Sequence, residues 1–246
     1  MGALHLVYLP INRRAFDVFA ISSGTDDDDR GYATHLALRQ RFGRAGPQPF
    51  VLVTDEFEKQ HILAYSSDPK GLADMATLPA ANPALDSVFP QAPSVKAMPT
   101  TWQLGTRFSF EVRYRPIIRY GKRSVDRRLA AGLHPAGERD AFLAAVESLP
   151  EGHQVDREEV YIDWLRSRIT AGAEIQNATI KSMRRIQTRR SPHGAGKVNS
   201  IEGYEVVAQG HLTITDSDAF ARLLQTGVGR HTAFGFGMLL LRPPGS

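Results

Sequence analysis

The sequence contains no cysteine and no hydrophobic run long enough to cross a membrane. Without cysteine, disulfide bonds and thiolate chemistry are excluded, and the composition suits a reducing cytosol. The longest apolar runs fall far below the ~20 residues that span a bilayer, and no secretory signal peptide is recognisable. We therefore expect a cytoplasmic protein that has no membrane partner.

Acidic residues are missing from one stretch that is rich in arginine and lysine. Between Lys181 and Lys197 there are six basic residues and no acidic one. A second stretch, Arg113–Arg128, has seven basic residues against the single Asp126. The net charge of the whole chain is only +4, so the positive charge is concentrated in these stretches. This pattern indicates a polyanionic partner, with nucleic acid first, although a solvated basic face without a partner is the alternative.

The length of 246 residues allows one large domain or two smaller ones. Each half of the chain reads as strand, helix, strand, strand, helix and strand, although no clear pattern marks the last strand of the first half. This order is typical of the split βαβ, ferredoxin-like fold. We predict an α+β protein with two tandem ferredoxin-like domains, residues 1–100 and 101–246, joined by a proline-rich linker from Pro79 to Pro99. One α+β domain with an elaborated sheet is the alternative.

A helix is predicted from Arg30 to Phe42, after four aspartates (26–29) that suit its positive end. Tyr32, His35 and Arg39 are spaced by three and four residues, so they form one stripe on this helix. Histidine exchanges protons near neutral pH, tyrosine can orient it, and arginine suits phosphate. Because a single helical histidine is more often a packing residue, the pattern alone does not establish a catalytic site.

Four glycines, Gly227, Gly229, Gly235 and Gly237, surround Arg230 and His231 just before an apolar strand near the C-terminus. Such a loop can turn backbone N–H groups towards a phosphate. It can equally be a strained turn before the last strand, and glycine content alone leaves both interpretations open.

The spacing of this loop, G-x-G-x-x-x-A-F-G-x-G, resembles the signature of the RAMP superfamily of CRISPR proteins. More closely, it is similar to the CRISPR repeat-RNA-processing endonucleases of the CasE type. Tyr32-Ala-Thr-His35, followed by Leu-Ala-Leu and a break rich in phenylalanine and proline, resembles the family's Tyr-x-x-His at the start of its first helix. The segment from Glu202 to Gly229 also resembles the family's approach to the glycine-rich loop. The similarity covers nearly the whole chain, with specific motifs only at its two ends.

The resemblance implies two ferredoxin-like domains and an enzyme that cuts the base of a CRISPR repeat hairpin without a metal or another cofactor. The ribose 2′-OH would attack the adjacent phosphate, leaving a 2′,3′-cyclic phosphate and a 5′-OH. His35 would act as general base or acid, Tyr32 would position it or the phosphate, and Arg39 would stabilise charge. The implied partners are the repeat RNA, then the mature guide RNA, and the other subunits of a Cascade-like effector complex. The residues expected to bind RNA are Lys181, Arg184, Arg185, Arg189, Arg190, Lys197, Gly227, Gly229, Arg230, His231, Gly235, Gly237 and Arg242.

Two features depart from the family pattern. Thr232 stands where members often carry lysine or arginine, so either Arg230 supplies the charge or the transition state is stabilised from elsewhere. The segment 122–154 is longer than expected and contains a predicted helix from Gly137 to Leu149. It is either a packing embellishment or a helical finger for RNA, as in type IV CRISPR relatives. In that branch Arg39, Arg41 or Arg242 would carry catalysis.

Two other functions fit the sequence. One is a non-catalytic RAMP subunit that binds guide RNA. The other is an unrelated ferredoxin-like RNA-binding module, for which aromatic residues on the open sheet face are expected to stack on bases. Phe108 and Phe110 are the candidates for that stacking, although packing in a core explains them equally simply.

Overall fold

The computed structural model describes residues 3–25, 30–121, 126, 128–130, 132, 137–150, 153–190 and 199–243, with only the backbone at 187–190 and 199–201. The first sheet is built by the N-terminal part of the chain. Its elements are β1 (His5–Ile11), α1 (Arg13–Ser22), α2 (Gly31–Phe42), β2 (Phe50–Thr54), β3 (Gln60–Ser66), α3 (Pro69–Thr77), α4 (Ala84–Val88) and β4 (Ser94–Ala97). A 3-10 turn, Gly43–Ala45, follows α2.

The second sheet is built by the C-terminal part and carries an insertion after its first strand. Its elements are β5 (Arg107–Tyr114), the insertion strands β6 (Ile117–Arg119) and β7 (Glu138–Asp140), α5 (Ala141–Ser148), α6 (Arg157–Ile169), β8 (Ala173–Arg190), β9 (Asn199–Ile214), α7 (Ser217–Thr226) and β10 (Leu239–Arg242). A 3-10 turn, Thr232–Phe234, lies between α7 and β10.

The strand orders are β2-β3-β1-β4 and β10-β5-β9-β8, and all neighbouring strands in both sheets are antiparallel. In both, the first and third strands of the unit lie in the centre and the second and fourth at the edges. This is the order of the split βαβ unit. The predicted fold, two ferredoxin-like units with a helical insertion in the second, is therefore confirmed.

Three sequence predictions about individual elements are wrong. The segment from Pro79 to Pro99 is not a linker, because it contains α4 and also β4, which pairs with β1 from His5–Ala97 to Tyr8–Ser94. The polar stretch after β1 contains α1, which the Asn12 side chain caps and which buries Phe16 and Phe19. The helix predicted from Gly137 begins only at Ala141, after β7. The predicted helix start at 26–29 lies outside the described residues.

The helices next to the second sheet begin and end where their sequences provide caps. The Asp156 carboxylate accepts a hydrogen bond from the Glu159 amide at 2.9 Å at the start of α6, and Asp216 does the same for α7 through Ala219 at 2.8 Å. Arg166 and Arg168 occupy the last turn of α6, where the helix dipole favours cations. Among the helices of the described ranges, none is long and apolar enough to cross a membrane.

The two sheets are joined through the face of the first sheet that its own helices leave open. Ile62 and Ala64 face those helices, so the alternate residues Leu63 and Tyr65 lie on the opposite face of β3, where they pack into the core of the second unit. The Tyr65 hydroxyl is buried and donates to the Leu239 carbonyl at 3.0 Å. A shared core therefore sets the position of the C-terminal loop relative to the first unit.

Phe108 and Phe110 belong to the core of the second unit and not to an open sheet face. Phe110 is 3% exposed, and the Phe108 ring lies 5.8 Å from the ring of buried Trp102. The two phenylalanines are therefore packing residues and are not placed to stack on RNA bases.

Candidate active site

His35 and Tyr32 lie on α2 and meet the 3-10 turn of the glycine-rich loop. The ring of Phe234 lies 5.3 Å from the ring of His35 and 5.8 Å from that of Tyr32, while the Tyr32 and His35 rings are 6.2 Å apart. The structure therefore brings together the two ends of the chain that carry the family motifs. Tyr32 lies in the first turn of α2, the end of a helix that favours anions.

The imidazole of His35 is half-buried, and its environment disfavours the protonated form. Burial is the larger cause and the neighbouring Arg39 cation the smaller one, and both lower the pKa of His35. The Nδ1 atom is buried and has no hydrogen-bond partner among the described residues. A buried polar atom without a partner has a free-energy cost, which a ligand with a matching donor or acceptor would offset.

We expect the pKa of the His35 imidazole to lie below the ordinary histidine value of about 6.5. In a histidine-edited NMR titration the His35 midpoint should lie below that value, and Arg39→Gln should move it part of the way back. Because the folded protein disfavours protonated His35, this group's contribution to folding stability should decrease as pH falls below about 6.5. An unshifted midpoint for His35 would contradict the environment described above.

The glycine-rich loop is a turn with all four of its glycines in the left-handed region of the backbone. Gly229, at φ 78°, cannot be replaced without strain, because a Cβ atom there would lie 2.6 Å from the Trp164 ring, too close for any side chain. His231 also adopts φ 63°, which is uncommon for a residue with a side chain. These contacts support the interpretation of a strained, closely packed turn.

Arg230 and His231 of this loop contact an acidic residue of the insertion. Arg230 Nε lies 2.9 Å from Glu138 Oε1, and His231 Nε2 lies 3.4 Å from Glu138 Oε2. The His231 side chain is buried, and its ring lies 6.1 Å from that of Phe234. The loop is thus connected to the insertion on one side and to α2 on the other.

A second charged cluster lies under the loop, around the buried carboxylate of Glu205. This side chain accepts hydrogen bonds from Arg113 and Arg184, the latter at 2.9 Å from Arg184 Nε. Burial opposes its ionisation, but the two arginines outweigh burial and lower the pKa of Glu205. The Arg113 guanidinium also lies 4.3 Å from the centre of the Phe236 ring. The cluster therefore connects the loop to the β8–β9 hairpin at the Arg184–Glu205 pair.

The β8–β9 hairpin carries most of the basic stretch predicted to bind RNA. Its exposed cations Lys181 and Arg185 are paired with acids of β5 and β9: Lys181 Nζ lies 3.0 Å from Glu111, and Arg185 Nη2 lies 2.9 Å from Glu202. Arg189 and Arg190 lie at the end of β8, where only the backbone is described, and Lys197 lies outside the described residues.

The three arginines considered for an arginine-based mechanism occupy different environments. Arg39 is exposed on α2, and its Nη1 donates to the Gly43 carbonyl at 3.4 Å. Arg41 is only 6% exposed, and it donates to the carbonyls of Met75 and Ala76, so its role is to cap the end of α3. Arg242 is exposed on β10 and lines a cleft of about 400 Å³ on the face of the second sheet.

Sequence reasoning did not single out Glu138, Glu205 or the contact of Phe234 with His35. Phe234 is part of the A-F-G motif, so its presence was visible but its neighbour was not. Glu138 lies in a segment with no recognisable motif, and Glu205 is one acid in a polar strand. Only the folded arrangement brings these side chains to the predicted residues.

Comparison with known proteins places these features in a family. Residues 4–243 match the sequence profile of a family described as CRISPR associated protein. No curated protein sequence gives a significant match. Several solved structures share the fold across the whole chain.

Three of these structures, all of low sequence identity, illustrate that similarity. A CRISPR endoribonuclease Cse3 bound to a 19-nucleotide RNA has 19% identity and a TM-score of 0.63, with 98% of this chain and 100% of that chain covered. Cas6e from Escherichia coli K-12 has 22% identity and a TM-score of 0.55, with 97% and 99% covered. A chain of a CRISPR RNA-guided surveillance complex has 15% identity and a TM-score of 0.54, also with 97% and 99% covered. The profile match over nearly the whole chain shows that this protein belongs to the CRISPR-associated protein family.

Proposed function

We propose that this protein is an endoribonuclease that binds the hairpin of a CRISPR repeat and cuts precursor CRISPR RNA at the base of the hairpin. The observation that carries the proposal is the position of His35. Its imidazole is half-buried, its Nδ1 has no hydrogen-bond partner among the described residues, and it lies beside Tyr32 and Phe234 of the glycine-rich loop on a helix that contacts β8. The similar structures include an endoribonuclease with bound RNA, which supports the same function here.

In the proposed reaction, the nucleophile and the leaving group both come from the RNA. A base removes the proton from the ribose 2′-OH, and the oxygen attacks the adjacent phosphorus. The bond from phosphorus to the 5′-oxygen breaks, and that oxygen takes a proton from an acid, which gives a 2′,3′-cyclic phosphate and a 5′-OH. Because its environment keeps His35 neutral, the imidazole is suited to the role of base. Tyr32 would position it or the phosphate, while Arg39 and Arg230 would offset the developing negative charge.

The β8–β9 hairpin supplies the surface for the RNA stem. Double-stranded RNA is recognised mainly through its shape and phosphates, for which exposed arginines on a rigid ribbon are suitable. Arg184 and Arg185 are the leading contacts, with Lys181 at the base of the stretch. We further propose that the protein keeps its product and becomes a subunit of an effector complex, as the similar chain of a surveillance complex suggests.

The function is tested with the repeat hairpin of the source organism, in EDTA, as an RNA and as a substrate with a 2′-deoxy sugar at the scissile nucleotide. We expect cleavage of the RNA at one position and none of the deoxy substrate. Tight binding without cleavage of either would make the protein a guide-RNA binder. Affinity for any RNA without preference for the hairpin would indicate a general RNA-binding module.

Arg185→Ala is expected to weaken hairpin binding and to make it less sensitive to salt. Each phosphate contact that is lost should reduce the slope of log Kd against log salt by about 0.7–0.9. The measurement is a binding titration at several salt concentrations. Arg13→Ala is the matched control, because Arg13 is another exposed arginine paired with a glutamate, Glu58, and belongs to α1. Equal slopes for both variants would show that Arg185 does not contact RNA phosphates.

A further inference from the structure

Glu138 is the residue through which the insertion contacts the candidate active site. One oxygen of its carboxylate lies 2.9 Å from Arg230 Nε and the other lies 3.4 Å from His231 Nε2. The two basic residues are adjacent in the glycine-rich loop. The carboxylate therefore forms an ion pair with Arg230 and lies beside the buried side chain of His231.

The backbone that carries Glu138 is itself firmly placed. β7 pairs with β6, with Glu138 opposite Arg119, and the neighbouring Ala141 amide donates to the Pro116 carbonyl at 2.8 Å. β6 in turn accepts a hydrogen bond from the buried Trp164 indole, from Nε1 to the Ile117 carbonyl at 3.1 Å. The insertion is thus attached to α6 and to the core of the second unit, so Glu138 can act as a fixed support.

The contact with Nε determines how Arg230 is presented. Arginine has a rigid planar fork, and occupation of Nε leaves the two terminal amino groups to grip an anion. The Arg230 side chain is 42% exposed, whereas the His231 side chain is buried against Phe234. Phe234 also touches His35. Side-chain contacts therefore run without interruption from the insertion through the loop to the candidate general base.

We propose that Glu138 is a positioning residue that aims Arg230 at the scissile phosphate. The inference rests on the proposed ribonuclease function. It also explains how the site can work with Thr232 where relatives carry a cation, because the charge is supplied two residues earlier and held in place from the insertion. The segment 122–154 then contributes to catalysis through Glu138.

A positioning role of Glu138 and a simple effect of its charge predict different changes in RNA binding and cleavage. A carboxylate near the RNA path repels phosphate, so its removal should strengthen RNA binding or leave it unchanged. If Glu138 positions Arg230, the same removal should slow cleavage. A purely structural role would instead lower affinity, rate and thermal stability together.

The experiment compares single-turnover cleavage rates, hairpin Kd and Tm for the wild type, Glu138→Gln, Glu138→Ala, Arg230→Ala and the double variant. Misplacement of a catalytic group by about 1 Å costs on the order of 10²-fold in rate, so we expect Glu138→Ala to cleave roughly 10- to 100-fold more slowly. Its Kd should be unchanged or lower, and Glu138→Gln should recover part of the rate. The double variant should be no slower than Arg230→Ala, since Glu138 acts through Arg230.

Glu58→Ala serves as the matched control, because Glu58 is an exposed acid paired with an arginine of α1. If the wild type cuts the hairpin and Glu138→Ala cuts it at the same rate, this inference is overturned and the proposed function stands. Additive effects in the double variant, or equal losses of rate, affinity and Tm, would also overturn it. A wild type that binds the hairpin without cutting it would overturn the proposed function, and this inference with it.

Discussion

His35→Ala is expected to slow cleavage of the repeat hairpin by about 10²–10⁴-fold, the usual contribution of a general acid or base. Affinity for the hairpin should change little, because we propose that the β8–β9 hairpin, and not α2, holds the stem. The loss should therefore appear in the single-turnover rate and not in Kd. His35→Asn, which keeps a polar side chain of similar size, should be similarly slow.

His61→Ala is the matched control for this experiment. His61 also has a pKa lowered mainly by burial, but it lies on β3 with its ring 4.9 Å from that of Tyr8. We expect its cleavage rate to stay close to that of the wild type. If cleavage survives His35→Ala but still requires the 2′-OH, the chemistry would be assigned to the cations, with Arg39 and Arg230 first.

Glu205→Ala is expected to reduce the free energy of unfolding by about 3–5 kcal/mol, the typical cost of removing one partner of a buried ion pair. Glu205 is 4% exposed, and its loss would leave the largely buried Arg113 without its carboxylate. The measurement is urea denaturation at neutral pH. Glu202→Ala is the control, because Glu202 pairs with Arg185 in solvent and should cost about 1 kcal/mol or less.

The same carboxylate predicts a dependence of stability on pH. Since the folded protein lowers the pKa of Glu205, its stabilising contribution is complete above the pKa of the unfolded chain, about 4.3. It is lost as pH falls through the lower folded value. The difference in stability between wild type and Glu205→Ala should therefore shrink in acid. A constant difference, or a loss no larger than that of Glu202→Ala, would contradict the assigned role of this cluster.

The order of strands and helices could be predicted because both units have clear periodic patterns and capping residues such as Asp156 and Asp216. The prediction missed β4, because prolines on both sides of Ser94–Ala97 indicate a loop and only pairing with β1 makes that segment a strand. It missed α1 because Arg13 and Arg14 obscured the spacing of Phe16 and Phe19, which become a core stripe only against the first sheet.

The candidate site was accessible from the sequence only in part. Helical spacing placed Tyr32 and His35 on one stripe, and the motif drew attention to the glycine-rich loop. Their meeting through Phe234 depends on the shared core around Tyr65, which no local pattern encodes. Glu138 and Glu205 were missed for the same reason, since each is meaningful only through arginines far away in the chain.

The contact of Phe234 with His35 also bears on when the protein can become active during its synthesis. The ribosome makes Phe234 about 200 residues after His35. Until then the histidine of a nascent chain lacks both its aromatic neighbour and Arg230 of the glycine-rich loop. Under the proposed function, a growing chain should therefore be unable to cut RNA near the ribosome until the second unit has docked.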